Sequence, residues 1–265
     1  MNRLLLSMVI LILFVAGCGQ ASGSSNVTEE TELTISAAAS MMASLNEITE
    51  VFEEENPDIK ITYNFGGSGT LRKQIEQGAP IDLFFSASKK DYQLLEEGGF
   101  VNDGSAIFRN KLVFLQQEDG TMKSLEDFIN SDGKIAIGTP EAVPAGTYAE
   151  QALEKLGVWE QLQGRIVFTK DVRQVLNAVK EGGVDLGLVY SSDLYGEENV
   201  EIAWEVDHSL HEKIEYFVAS LKNDQKQEDD VKAEAVERFY QYVQKEDSMK
   251  VFAKYGFDTK APVNQ

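Results

Sequence analysis

The chain has 265 residues, with 24 Lys and Arg set against 44 Asp and Glu and a formal charge of −20. That balance excludes nucleic acid as a partner, because contacts to phosphates need clustered Lys and Arg. It also means that net charge does not draw in an anionic ligand, so any anion site must work through local, aimed dipoles.

The first residues read as an address. Met1 to Gly17 carries one basic residue, Arg3, then an apolar run from Leu4 to Val15. A charged start, a short apolar core and small residues before a cleavage point describe an export signal over 1–17. The run is short for a membrane span. Val15-Ala16-Gly17-Cys18 resembles the lipobox of bacterial lipoproteins, in which the cysteine is lipidated and becomes the new N-terminus. Cys18 is the only cysteine, so no intramolecular disulfide can form. Residues 18–32 are small, polar and acidic beyond that cysteine and read as a lipidated, flexible tether.

The remainder is long enough for one large domain or two linked lobes. Glu32–Ser36 reads as a first strand, and Ala37-Ala38-Ala39-Ser40 follows it. Ser40 precedes a helix with an apolar face of Met41, Leu45, Ile48 and Phe52, where a serine is a good N-cap. Ile59–Phe65 alternates as a strand, and Gly66-Gly67-Ser68-Gly69-Thr70 leads into a helix carrying Leu71 and Ile75. Pro80–Ser86 is an almost continuous apolar run, as a buried parallel strand should be. A helix over 89–97 closes at Gly98-Gly99.

A second series starts at Lys111–Leu115. Ser124-x-x-Asp127 reads as a helix-start capping pattern. Lys134–Gly138 is a short buried strand, and a loop with Pro140 and Pro144 leads into a helix carrying Ala149, Ala152, Leu153 and Leu156. Arg165–Phe168 is a strand, and Asp171 opens a helix with Val172, Val175, Leu176 and Val179. Val184–Tyr190 is another buried strand. Late strands at Val200–Val206 and Lys213–Leu221 and helices over about 229–245 and 247–254 complete the chain. No internal repeat is evident in the residues.

Strands alternate with helices twice over, which predicts an α/β fold with mainly parallel sheets in two lobes. The expected division is 33–108 for the first part of lobe 1, 109–222 for lobe 2 with hinge strands, and 223–265 for the rest of lobe 1. In open α/β sheets a ligand lies beyond the carboxyl ends of the strands. Five points fall at such ends: Ser40, Ser68, Ala145, Val172 and Tyr190. Two belong to the first lobe and three to the second, which predicts a cleft between them.

These positions offer hydroxyls and backbone N–H groups, a donor set suited to a fully ionised tetrahedral oxyanion. Arg72 and Arg173 lie beside two of the points, as anion ligands or as ion-paired surface residues. Enzyme signals are weak: Gly66-x-Ser68 runs into Gly69-Thr70, so the G-x-S-x-G elbow fails at its last position. His208 and His211 are the only histidines, in an acidic loop read as exposed, and supply no metal set or general base for Ser68.

Together, AAAS (37–40), GSGTLRKQIEQGAPIDLFFSAS (67–88), GTPEAVPAGTYAEQALEKLG (138–157), DVRQVL (171–176), LGLVYSSD (186–193) and KYGF (254–257) resemble the molybdate-binding proteins of bacterial ABC transporters. The resemblance covers about residues 33–258. It implies a two-lobe periplasmic-binding-protein fold, type II-like, that closes on molybdate or tungstate, without a cofactor or a direct cation site. It implies hydroxyls and N–H groups from Ser40 and Ser68, N–H groups from Ala145 and Val172, and the hydroxyl of Tyr190. A membrane permease is the implied partner, and a lipid-anchored monomer on the outer face of the cell membrane the implied form. Binding of sulfate, phosphate or a small organic anion stays open, as does a serine-dependent enzyme on the same scaffold.

Overall fold

A computed structural model describes residues 30–222 and 230–260; the signal and lipobox readings lie outside them. The first half runs β1 (Thr31–Ala38), α1 (Met42–Glu55), β2 (Ile59–Gly66), α2 (Ser68–Glu76), β3 (Leu83–Ser86), α3 (Lys89–Glu97) and β4 (Val101–Arg109). The second runs β5 (Leu112–Gln117), α4 (Leu125–Ile129), β6 (Ile135–Gly138), α5 (Pro144–Lys155), α6 (Trp159–Leu162), β7 (Ile166–Thr169), α7 (Val172–Lys180), β8 (Leu186–Tyr190) and β9 (Val200–Glu205). The chain then returns through β10 (Glu215–Leu221) and ends in α8 (Asp230–Tyr242) and α9 (Glu246–Lys254).

Two five-stranded sheets result, ordered β2-β1-β3-β10-β4 and β7-β6-β8-β5-β9. The orders correspond strand for strand, β1 with β6, β2 with β7, β3 with β8, β4 with β9 and β10 with β5. The molecule is thus built twice from one plan, although the residues show no repeat. In each sheet one strand, β10 or β5, runs against the other four. The reversed strand in each case is the one by which the chain enters from the other sheet.

The chain crosses between sheets at Asn110–Lys111 and again between β9 and β10. The two crossings are tied by Asn110 N–H donating to Ile214 O at 3.1 Å. Helices α8 and α9 cover the first sheet, where Phe52 meets Phe239 and Tyr242 edge to face at 4.9 and 5.0 Å. Leu33, Ile35, Leu83 and Phe85 are fully buried beneath them, which explains the apolar runs of β1 and β3.

β4 is a strand that the sequence pattern does not disclose. Asn102 and Asp103 are exposed, Gly104 and Ser105 half-buried, and only Phe108 is buried, so its alternation carries no hydrophobic signal. Its place is fixed by pairing with β10 instead. Ser124 caps α4 as expected, accepting from Asp127 N at 3.1 Å, whereas the Asp127 carboxylate accepts from Lys123 N rather than from the cap. Ser40 is not an N-cap: it sits inside a 3-10 turn, Ala39–Met41, and its side chain makes no capping bond.

Candidate functional site

The carboxyl ends of β1, β2, β3, β6, β7 and β8 face one another across a single small cavity. The cavity is small, and both sheets contribute to its walls. All five residues singled out from the sequence line it. The first sheet presents Ser40 after β1, Ser68 after β2 and Ala87 after β3. The second presents Ala145 after β6, Val172 after β7 and Tyr190 at the end of β8. The architectural repeat therefore sets two equivalent trios of strand ends face to face.

Three of these residues open helices. Ser68 is the first residue of α2, Val172 the first of α7, and Ala145 follows Pro144 at the start of α5. Amides in a first turn have no intrahelical acceptor, and the helix dipole adds partial positive charge there. Pro144 suits its position, since its missing N–H would have been unpaired in any case. Gly146 lets α5 start against the end of β6: a Cβ there would lie 1.9 Å from Gly138 O.

The hydroxyls are oriented by their neighbours. Ser68 is fully buried and its Oγ accepts from Ala87 N–H at 3.0 Å, which leaves its proton to be donated elsewhere. Ser40 Oγ lies 2.8 Å from the hydroxyl of Tyr216, on β10. Tyr190 is 1% exposed, and its hydroxyl has no hydrogen-bond partner among the described residues. Burial pushes that phenol well above its ordinary pKa, so it stays a donor at neutral pH. A buried hydroxyl without a partner is costly and calls for an explanation.

Among the described residues, no cationic side chain lines the cavity. Arg72 is held by Asp91 at 2.8 Å and by Glu76, and Arg173 by Glu197 at 2.7 Å. Asp171 does line it, but both carboxylate oxygens are engaged by Gln174, one capping its backbone N–H at 2.9 Å. His208 is exposed, whereas His211, contrary to the exposed-loop reading, is buried against the ring of Tyr148. Burial lowers the His211 pKa, so the ring is neutral in the fold.

Three contributors escaped the sequence. Ala87 occupies in the first sheet the place that Tyr190 has in the second, a correspondence visible only once both strand orders are known. Tyr216 comes from a return strand more than 170 residues from Ser40. Asp193 is 2% exposed; its Oδ2 accepts from Tyr190 N–H at 2.9 Å and its Oδ1 has no partner among the described residues. Burial raises its pKa to about 7.

Comparison with known proteins sets this geometry in a family. YvgL of Bacillus subtilis (strain 168), named provisionally as an ABC transporter substrate-binding lipoprotein, is 39% identical over 92% of this chain and 93% of its own. The molybdate-binding protein ModA of Escherichia coli (strain K12) is 32% identical over 88% of this chain and 91% of its own. The periplasmic molybdate-binding protein of Azotobacter vinelandii superposes with a TM-score of 0.73, covering 85% of this chain and 98% of that one; at 22% identity the likeness is one of fold. The family model for bacterial extracellular solute-binding proteins matches residues 33–258, from within β1 to just beyond α9, and the chain belongs to that family.

Proposed function

We propose that this protein binds molybdate in the cavity between its two sheets and delivers it to the membrane permease of an ABC transporter. The observation that carries the reading is the set of aimed donors in the cavity. The buried Tyr190 hydroxyl, the Ser40 and Ser68 hydroxyls and the helix-start amides of Ser68, Ala145 and Val172 converge there, with no cation among them. A fully ionised tetrahedral oxyanion accepts many such bonds, and charge-assisted bonds are about twice as strong as neutral ones. The relatives named as molybdate-binding support the choice of ion.

Hydrogen phosphate carries a proton needing an acceptor, and Asp171 is the carboxylate that lines the cavity. Each of its oxygens accepts one bond from Gln174 and has a lone pair left, so the ligand panel below, with phosphate in it, decides between the two ions. A serine enzyme would need a base beside Ser68; instead, its Oγ accepts a backbone N–H, and neither histidine lines the cavity. Tungstate, with the same charge and shape, fits the same donors. Export, lipidation at Cys18 and anchoring on the outer face of the membrane follow from the signal and lipobox, and a lipoprotein relative supports them.

A thermal-shift panel on the full chain tests the ligand. Molybdate at 100 times its dissociation constant should add about 2.7 kcal/mol of stability. A shift with molybdate and tungstate and little with sulfate or phosphate supports the proposal. A shift with sulfate alone keeps the site and replaces the ion.

A further inference from the structure

Asn110 stands where the chain passes from the first sheet to the second, and its amide is fixed by a neighbour that can only donate. Lys111 N–H gives its proton to Asn110 Oδ1 at 2.9 Å, and Ser191 Oγ donates to the same oxygen at 3.0 Å. The nitrogen, Nδ2, must therefore face the other way. It donates to Ser192 Oγ at 2.8 Å and to Tyr216 OH at 3.3 Å.

Tyr216 is fully buried, and burial holds its phenol well above the ordinary range, so the hydroxyl keeps its proton. Accepting from Asn110, it has Ser40 Oγ, 2.8 Å away, as its one remaining partner among the described residues. Leaving a buried O–H undonated is costly, so its proton goes to Ser40. Ser40 then accepts from the protein and has its own proton left for the cavity that it lines. The ring of Tyr216 also meets that of Tyr190 edge to face at 5.8 Å, so one residue supports ligand groups from both sheets.

We propose that Tyr216, oriented by Asn110, is a positioning residue for anion binding: it locks Ser40 as a donor toward the ligand. The chain Asn110 Nδ2–H to Tyr216 O–H to Ser40 O–H is directional, and each bond polarises the next. It does for Ser40 what Ala87 N–H does for Ser68: each serine oxygen accepts one bond from the protein and keeps its own proton for the cavity. Because Asn110 lies on the crossing and also holds Ser191 and Ser192, next to Tyr190, the same lock joins the hinge to the ligand groups.

The inference rests on the oxyanion reading, and a double-mutant cycle separates the two. Molybdate affinity is measured by calorimetry on the full chain in detergent for wild type, Tyr216→Phe, Ser40→Ala and the double variant. No binding by wild type overturns the ligand reading and this inference with it. With wild type binding, Tyr216→Phe should lose about three- to tenfold in affinity, with the ligand-free melting temperature little changed. In the Ser40→Ala background it should lose nothing further. Wild-type affinity in Tyr216→Phe, or an equal loss in both backgrounds, overturns the lock while leaving the site in place. Asn110→Ser is the second variant if Tyr216→Phe folds poorly, and its effect must likewise vanish in Ser40→Ala.

Discussion

The amide of Gly69, at the start of α2, donates to the carbonyl of Ala142, in the loop before α5, at 3.1 Å. The bond joins the two halves directly, backbone to backbone, at the rim of the cavity. Its neighbour Gly67 shows how close the approach is: a Cβ there would lie 2.5 Å from Ala142 O and 3.1 Å from Lys170 O. Neither atom is a flexible side-chain tip that could move aside. Gly67 and Gly69 thus allow the close approach of the two halves as well as baring amides; a Cβ at Gly69 would lie 3.0 Å from Glu141 O.

Gly67→Ala should therefore weaken anion binding more than it weakens the fold. Overpacking costs about 1–3 kcal/mol, and here the clash exists only where the two halves meet. The expected result is a loss in molybdate affinity of roughly 5- to 150-fold with a nearly unchanged melting temperature in the absence of ligand. Calorimetry beside a ligand-free melt separates the two effects. An equal fall in both would place the clash in each half's own packing.

Tyr190→Phe should move stability and affinity in opposite directions. The hydroxyl is buried without a partner, so its removal leaves the ligand-free protein as stable as before or slightly more so. Binding should lose about 1.5–3 kcal/mol, the worth of a bond to a charged acceptor. Unchanged affinity would remove Tyr190 from the site.

Much of this was legible in the residues, and the division between what was and was not is physical. Strand ends followed by small residues are local signals, and together with the family resemblance they put Ser40, Ser68, Ala145, Val172 and Tyr190 at one edge. β4 gave no such signal, because its polar face lies toward solvent and its pairing with β10 spans more than 100 residues. Tyr216 and Asp193 were invisible for a related reason: each acts through a contact, not a pattern. Ser40 shows the reverse error, since a serine before a helix suggests a cap, while its hydroxyl is engaged by Tyr216.

Asp193 gives the fold a pH dependence with a definite sign. Burial raises its pKa from 3.8 to about 7, against the backbone N–H of Tyr190 and the charge of Arg173, which lower it; Asp171 and Glu197 add to the rise. The folded state thus holds this proton more tightly than the unfolded chain. Its stabilising contribution is complete below about pH 4 and is lost as pH rises through about 7. Asp193→Asn should lack this component, so its stability relative to wild type should rise between those limits. Urea melts of both proteins across that range check it, and a pH-independent difference would contradict it.

Arg72→Ala should bind molybdate as wild type does. Its guanidinium is occupied by Asp91 and Glu76 and does not line the cavity. A tenfold loss in a calorimetric titration would mean that an arginine reaches the anion after all.

The proposed function requires one oxyanion among Ser40, Ser68, Ala145, Val172 and Tyr190. Anomalous diffraction at the molybdenum edge, from crystals grown with molybdate, tests it most directly. One strong peak is expected in the cavity, with anion oxygens within hydrogen-bond distance of the Tyr190 hydroxyl and the Ser68 side chain. A peak elsewhere on the protein, or an empty cavity at saturating molybdate, would contradict it.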